Sequence, residues 1–273
     1  MYLYCYRKTP NFGDVLNFWL WKKHFRNEFS DDRDDHEYFV GIGTLLNKRL
    51  PQDKILHIFG SGAGYGDLPI LNPELTHVHF VRGPRTAQAL GLPRDSSITD
   101  PAALLHLHAD LGTRKSYGFS FMPHHSIESE RLRDVVESVG IRYISPTQDH
   151  ESIIEDILKS DKILCSAMHG AIVADALRVP WLPVVTHSEI FEFKWHDWSE
   201  SMNTPLRFHH ISPLYPKRGT GLIKGLRGAL KERMVGQELR SLMKKDFSLS
   251  SDSVLKDRLD MLQTKIDEFN TRP

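Results

Sequence analysis

The sequence predicts an α/β protein built from two Rossmann-like, doubly wound parallel-sheet domains with a helical tail. Three observations lead there. Short apolar runs alternate with helix-period segments almost from the first residue, the pattern of βαβ units. The alternation pauses near residues 106–114 and restarts, so two successive βα runs of about 100 residues each give two sheets rather than one. The 273 residues are 40% hydrophobic and 26% charged, ordinary for a folded chain with a sizeable core. The expected segments are 1–110, 111–200 and a tail at 201–273.

In the first segment, residues 2–6 read as a strand. The turn Asn11-Phe12-Gly13-Asp14 leads into a helix near Val15, with Asp14 as N-cap and Leu16, Leu20 and Phe25 as its buried stripe. Strands follow at 38–42, 55–59 and 78–81. The second ends in Gly60-Ser61-Gly62-Ala63-Gly64, and the third in Arg82-Gly83-Pro84. A helix at 84–90 has Pro84 at its start and Gly91 as its stop.

In the second segment, strands are expected at 117–122, 142–145, 162–165 and 181–185. Helices fill 129–138, 152–159 and 170–177, the first stopped by Gly140. The tail carries nine basic residues against two acidic ones between Lys217 and Lys245. Leu222, Ile223, Leu226, Leu230 and Met234 recur there at helical spacing, and a last helix spans about 252–269.

Composition excludes several function classes. Lys+Arg and Asp+Glu both number 35, so the uniformly basic surface of a nucleic-acid binder is absent. The two cysteines, Cys5 and Cys165, form no metal pair or disulfide framework. No signal-peptide pattern opens the chain, and no run nears the roughly 18–20 apolar residues that cross a bilayer. The expectation is a soluble protein of a reducing, cytoplasmic compartment.

Parallel α/β sheets bind ligands beyond the carboxyl ends of their strands, so the loops there carry the candidates. His169, in Cys165-Ser166-Ala167-Met168-His169-Gly170-Ala171, sits where a strand passes into a helix. The N–H groups of Gly170 and Ala171 would favour an anion, and His169 would serve as acid, base or phosphate donor. A histidine capping the helix or satisfied within the sheet is the structural alternative. Arg82 closes a strand and would clamp a carboxylate or phosphate, or else form a salt bridge, and Arg85 stands likewise. His124 and His125 follow another strand, in a catalytic role or as solvated loop residues. In Phe193-Lys194-Trp195-His196-Asp197-Trp198, exposed indoles would stack on sugar rings and Lys194 would reach an anion. The alternative buries Trp195 and Trp198 on one helix face. Residues 60–64 are not the dinucleotide fingerprint, which needs another glycine spacing. The acidic run 31–36 and the pairs His77/His79 and His106/His108 lack metal-ligand spacing, so no metal is expected.

Taken together, these segments resemble the polysaccharide pyruvyltransferase family, nearest its xanthan ketal pyruvate transferases and succinoglycan ketolases. The matching pieces are Asn11-Phe12-Gly13-Asp14-Val15-Leu16-Asn17, Gly41-Ile42-Gly43-Thr44, Val81-Arg82-Gly83-Pro84-Arg85-Thr86, Thr99-Asp100-Pro101-Ala102 and Ala167-Met168-His169-Gly170-Ala171-Ile172. The likeness spans about residues 1–200. It implies a GT-B-like pair of domains facing across a cleft. The donor would be phosphoenolpyruvate, a co-substrate, with no cofactor. Pyruvate would be set as a cyclic ketal on a sugar of an exopolysaccharide or its lipid-linked repeat unit, releasing phosphate.

Where family members carry Arg-Leu-His, this chain has Ala167-Met168-His169. The histidine carries over as the acid or a phosphate ligand, and the arginine does not. Lys194 and Arg82 are the candidate replacement cations, with Gly170, Ala171 and His124 also at the donor. Asn11, Asp14, Asn17 and Trp195 fall to the acceptor. A nucleotide-sugar glycosyltransferase of the same architecture and a non-catalytic glycan-binding or assembly protein are the competing readings. The balanced charge conceals segregation: residues 28–37 hold six acidic and one basic residue, while 217–245 is net positive by seven. With its apolar stripe, the basic segment fits a helix lying on an anionic bilayer surface beside the acceptor, or a solvated helix packed on the fold.

Overall fold

The computed structural model describes residues 1–6, 12–25, 29–186, 191–214 and 222–272, with side chains in the 222–242 helix described from 228 onward. The chain forms two compact units, one of residues 1–109, 191–205 and 250–273, the other of 110–190 and 206–249. Both are α/β with parallel sheets.

The first unit carries β1 (Tyr2–Tyr4), α1 (Phe12–His24), β2 (Glu37–Val40), β3 (Ile55–Phe59), β4 (Thr76–Phe80) and α2 (Pro84–Ala89). Its sheet runs β1-β2-β3-β4, every pair parallel. Successive side chains of a strand point to opposite faces, and both faces are apolar here. Tyr38, Val40, Leu56 and Ile58 pack with Leu46, Ala63 and Ala87. Phe39 and Phe59 stack at 4.8 Å on the other face, where Trp21 of α1 and Phe25 just after it meet them.

The strand order corrects the expectation for this sheet. It never reverses, so the sheet is not doubly wound, because the connections 41–54 and 60–75 hold no α-helix to carry the chain to the opposite edge. Helix α1 also starts at Phe12, which places Asp14 inside its first turn rather than at the N-cap.

The second unit carries β5 (Tyr117–Met122), α3 (Glu130–Ser138), β6 (Arg142–Tyr143), α4 (His150–Leu158), β7 (Ser160–Cys165), α5 (Met168–Ala176) and β8 (Trp181–Val185). After α6 (Glu192–Ser201) the chain adds β9 (His209–His210) and α7 (Leu222–Leu242), and α8 (Asp252–Asn270) ends it. The order β6-β5-β7-β8-β9 is parallel throughout and reverses between β5 and β7. This sheet is doubly wound, and its switch point lies where β5 and β7 pair, Met122 opposite Cys165.

The helices after residue 190 do not follow the expected segments. Helix α6 belongs to the first unit, where it packs on α2. The tail is no single body. Helix α7 packs Val235, Leu239 and Leu242 with Leu132, Val135 and Val136 of α3 in the second unit. Helix α8 buries Leu255, Leu259, Leu262 and Ile266 in the first unit. There Phe269 reaches Phe25 at 5.2 Å, and Asn270 donates to the His24 carbonyl at 2.9 Å. Of the apolar stripe expected in α7, Leu230 and Met234 are 63% and 41% exposed, and the side chains of Leu222, Ile223 and Leu226 lie outside the described residues. No helix among the described residues is long and apolar enough to cross a membrane.

Candidate functional site

At the switch point of the second unit, the loops after β5 and β7 lie side by side. The Ser166 N–H donates to the Met122 carbonyl at 2.9 Å, which fixes the end of β7 against the end of β5. Helix α5 starts two residues earlier than expected, at Met168, so half-buried His169 stands in its first turn, at the end of positive potential. Ser166, just outside that turn, is buried at 7% exposure, and its hydroxyl has no hydrogen-bond partner among the described residues. A buried hydroxyl in that state is costly unless something fills the place.

His124 follows β5, the other strand of the same switch point, and caps the short turn at 125–127. Its Nδ1 accepts from the Ser126 N–H at 3.3 Å and lies 2.8 Å from the Ser126 hydroxyl. With Nδ1 an acceptor in the neutral ring, the proton sits on Nε2, a donor. One strand further on, Glu128 is held by the hydroxyls of Ser145 and Thr147, the latter at 3.1 Å.

Two expected donor residues have other work. The Gly170 N–H already donates to the Ala167 carbonyl at 3.1 Å, and Ala171 is fully buried. Gly170 is small because α5 descends onto the sheet there: a Cβ would lie 2.8 Å from Met122 Sδ and 3.4 Å from Cys165 Sγ. The anion-favouring end of α5 is therefore its first two residues. Cys165 is packing, with burial pushing its thiol pKa up, away from nucleophile chemistry.

In the first unit, the loops after β2, β3 and β4 meet around Arg82. This residue is fully buried and forms the salt bridge that stood as the alternative to a ligand clamp, while its Nη2 has no hydrogen-bond partner among the described residues. Nε donates to Asp197 Oδ2 at 3.0 Å and Nη1 to Thr44 Oγ1 at 3.0 Å. Asp197, equally buried, also accepts from the Thr86 N–H at 2.8 Å and the Thr86 hydroxyl at 2.7 Å. A Cβ at Gly62 would overlap the guanidinium, so this glycine makes room for it. An outer pair, Arg85 Nη2 to Glu200 Oε1 at 2.6 Å, adds to the tie between α2 and α6.

Three of the four acceptor candidates fall within the described residues. Asn17 is fully buried and positions a loop rather than facing a ligand. Its Oδ1 accepts from the Ile42 N–H at 2.7 Å and Trp21 Nε1 at 3.0 Å, while Nδ2 donates to the Ile42 carbonyl at 2.9 Å. Trp195 and Trp198 are both buried in α6 and cannot form an exposed platform. Asp14 is half-buried in the first turn of α1, and Asn11 lies outside the described residues. Lys194 is half-buried, its Nζ donating to Tyr65 Oη at 2.9 Å.

The features that sequence reasoning missed are Ser166, Tyr65, Thr86 and the role of Asp197. Only Tyr65 left a local signal, an aromatic between two glycines at 64–66. Among the described residues, no three His, Cys, Asp or Glu gather as a metal-binding group.

No family model matches the chain. It is 38% identical, over 227 residues, to the succinoglycan biosynthesis protein ExoV of Rhizobium meliloti (strain 1021), a span of 80% of this chain and 69% of that protein. Identity at that level over most of both chains is a relationship of descent. The chain belongs to the polysaccharide pyruvyltransferase family.

Proposed function

We propose that the protein transfers pyruvate from phosphoenolpyruvate to two hydroxyls of one sugar, on an exopolysaccharide or its lipid-linked repeat unit, as a cyclic ketal with release of phosphate. Kinship with a succinoglycan biosynthesis protein carries the acceptor class. The observation that carries the chemistry is His169 in the first turn of α5, at the switch point of a doubly wound sheet. The positive end of α5, the Ser166 hydroxyl and the His124 Nε2 donor suit an anionic donor.

His169 protonates the methylene carbon, and positive charge develops at C2. One sugar hydroxyl adds there, phosphate departs, and the second hydroxyl closes the ketal. Of the two hydroxyl protons, one replaces that given by His169 and the other leaves with phosphate. The discriminating assay is phosphate release from phosphoenolpyruvate in the presence of acceptor. A nucleotide-sugar transferase would instead give donor-dependent sugar transfer and protection by a nucleotide diphosphate.

We also propose that α7 docks on the anionic inner face of the plasma membrane. Its two acids point inward: Glu232 pairs with Arg131 at 2.8 Å, and Glu238 accepts from Ser212. Leu230, Arg233, Met234, Arg240 and Lys244 are left exposed. Apolar residues among cations on one face suit an acidic lipid surface, each cation contributing about 1 kcal/mol. Sedimentation with phosphatidylglycerol vesicles, and its loss in Arg233→Gln/Arg240→Gln/Lys244→Gln, is the expected outcome; equal binding to zwitterionic vesicles would reject it.

A further inference from the structure

The loop after β3 presents Tyr65 in a way that packing does not account for. Gly64, Tyr65 and Gly66 all have positive φ, 143°, 58° and 98°. The left-handed region is unfavourable for a residue with a Cβ, and such strain gathers at ligand sites. Burial does not hold the ring there, since Tyr65 is 56% exposed. Phe191 stacks on one face at 5.0 Å and 27°, over the space that a side chain at residue 64 would occupy. At the phenol end, Lys194 Nζ donates to Oη, so the phenol proton remains available to donate. The loop lies at the carboxyl end of a parallel strand, where such sheets bind ligands.

The geometry points to Tyr65, with Lys194 at its hydroxyl, as a sugar-binding subsite for the acceptor glycan. A pyranose lays its C–H face on the negative face of the ring, and its hydroxyls meet Tyr65 Oη and Lys194 Nζ. A phenol–ammonium pair at the edge of an exposed aromatic face recognises a polyol, which a lipid chain or an aliphatic protein surface would leave unsatisfied. Lys194 thereby moves from the donor to the acceptor, and Tyr65 takes the platform role that buried Trp195 cannot. The inference rests on the pyruvyl-transfer reading for its acceptor class and adds the place where that acceptor is held.

The test is calorimetric titration and saturation-transfer NMR of the full chain with the oligosaccharide repeat of succinoglycan, without phosphoenolpyruvate. Wild type binds, Tyr65→Phe binds about threefold more weakly, and Tyr65→Gly at least about tenfold more weakly, roughly the loss of one stacking contact. Tyr65→Gly relieves the backbone, and circular dichroism should show it folded. Glycan binding unchanged in folded Tyr65→Gly overturns the subsite, as does ketal formation by wild type with no change in acceptor KM for that variant. Binding lost in Tyr65→Gly, with no pyruvyl transfer by any form, upholds the subsite and sinks the reaction instead.

Discussion

Replacing Asp197 with alanine strands a guanidinium at zero exposure. In the native protein the carboxylate receives Arg82 Nε at 3.0 Å and two donors from Thr86, at 2.8 and 2.7 Å. Removing one partner of a buried pair costs about 3–5 kcal/mol, because the remaining charge has neither water nor a counter-ion. The Thr86 donors lose their acceptor too, and water entering the space of the lost carboxylate offsets part of that. The net expectation is a loss of roughly 4 kcal/mol in the first unit. At roughly 2–4 °C per kcal/mol for a domain of about 150 residues, its melting transition falls by about 8–16 °C. Scanning calorimetry and urea unfolding read this directly. The double variant Arg82→Met/Asp197→Leu should recover most of the loss, since apolar residues of similar volume replace buried pairs at little cost. A loss below about 1 kcal/mol in Asp197→Ala, or a double variant no better than the single, would refute the reasoning.

His57 and His79 lie 3.3 Å apart on the face where Arg272, His77 and Phe269 gather, and burial, with Arg272 and the neighbouring imidazoles, holds their pKa values at about 4 and about 3. Both stay neutral in the folded state while the unfolded chain takes up protons below about 6.5, so stability is lost as pH falls from 6.5 towards 4. At about 1.4 kcal/mol per pKa step, partly screened by solvent, the loss is roughly 2 kcal/mol by pH 4.5. Melting temperatures flat across that range would contradict it. Asn17→Leu leaves the Ile42 N–H and carbonyl without their side-chain partners, and should cost about 2 kcal/mol in urea unfolding. His169→Gln should lower kcat by about a hundredfold or more with an unchanged melting temperature; a change in acceptor KM alone would remove its role as acid.

The strands 55–59, 117–122 and 181–185 were legible to the residue because each is an apolar run bounded by turn residues. Gly91 and Gly140 take left-handed φ of 66° and 80°, just past the ends of α2 and α3, as the stop signals implied. Leu16, Leu20 and Phe25 are buried as their spacing required. What sequence could not reveal is which of several compatible partners wins. Arg82 meets Asp197, 115 positions away, and nothing local marks that pairing. Helix α7 has two apolar stripes at helical spacing, and only contact with α3 selects Val235, Leu239 and Leu242 over Leu230 and Met234. Helix α6 looked like an indole platform because two tryptophans three apart fit a core stripe and an exposed one equally well. His169 was found through its strand-to-helix position, whereas Ser166 gained meaning only when its burial was known.

The most direct measurement is mass spectrometry and proton NMR of the succinoglycan repeat oligosaccharide after incubation with the protein and phosphoenolpyruvate. Pyruvyl transfer gives a product heavier by one pyruvyl ketal, with a new ketal methyl signal and one phosphate released per ketal formed. Phosphate release without a modified sugar, or an acceptor returned unchanged whether free or lipid-linked, would contradict it.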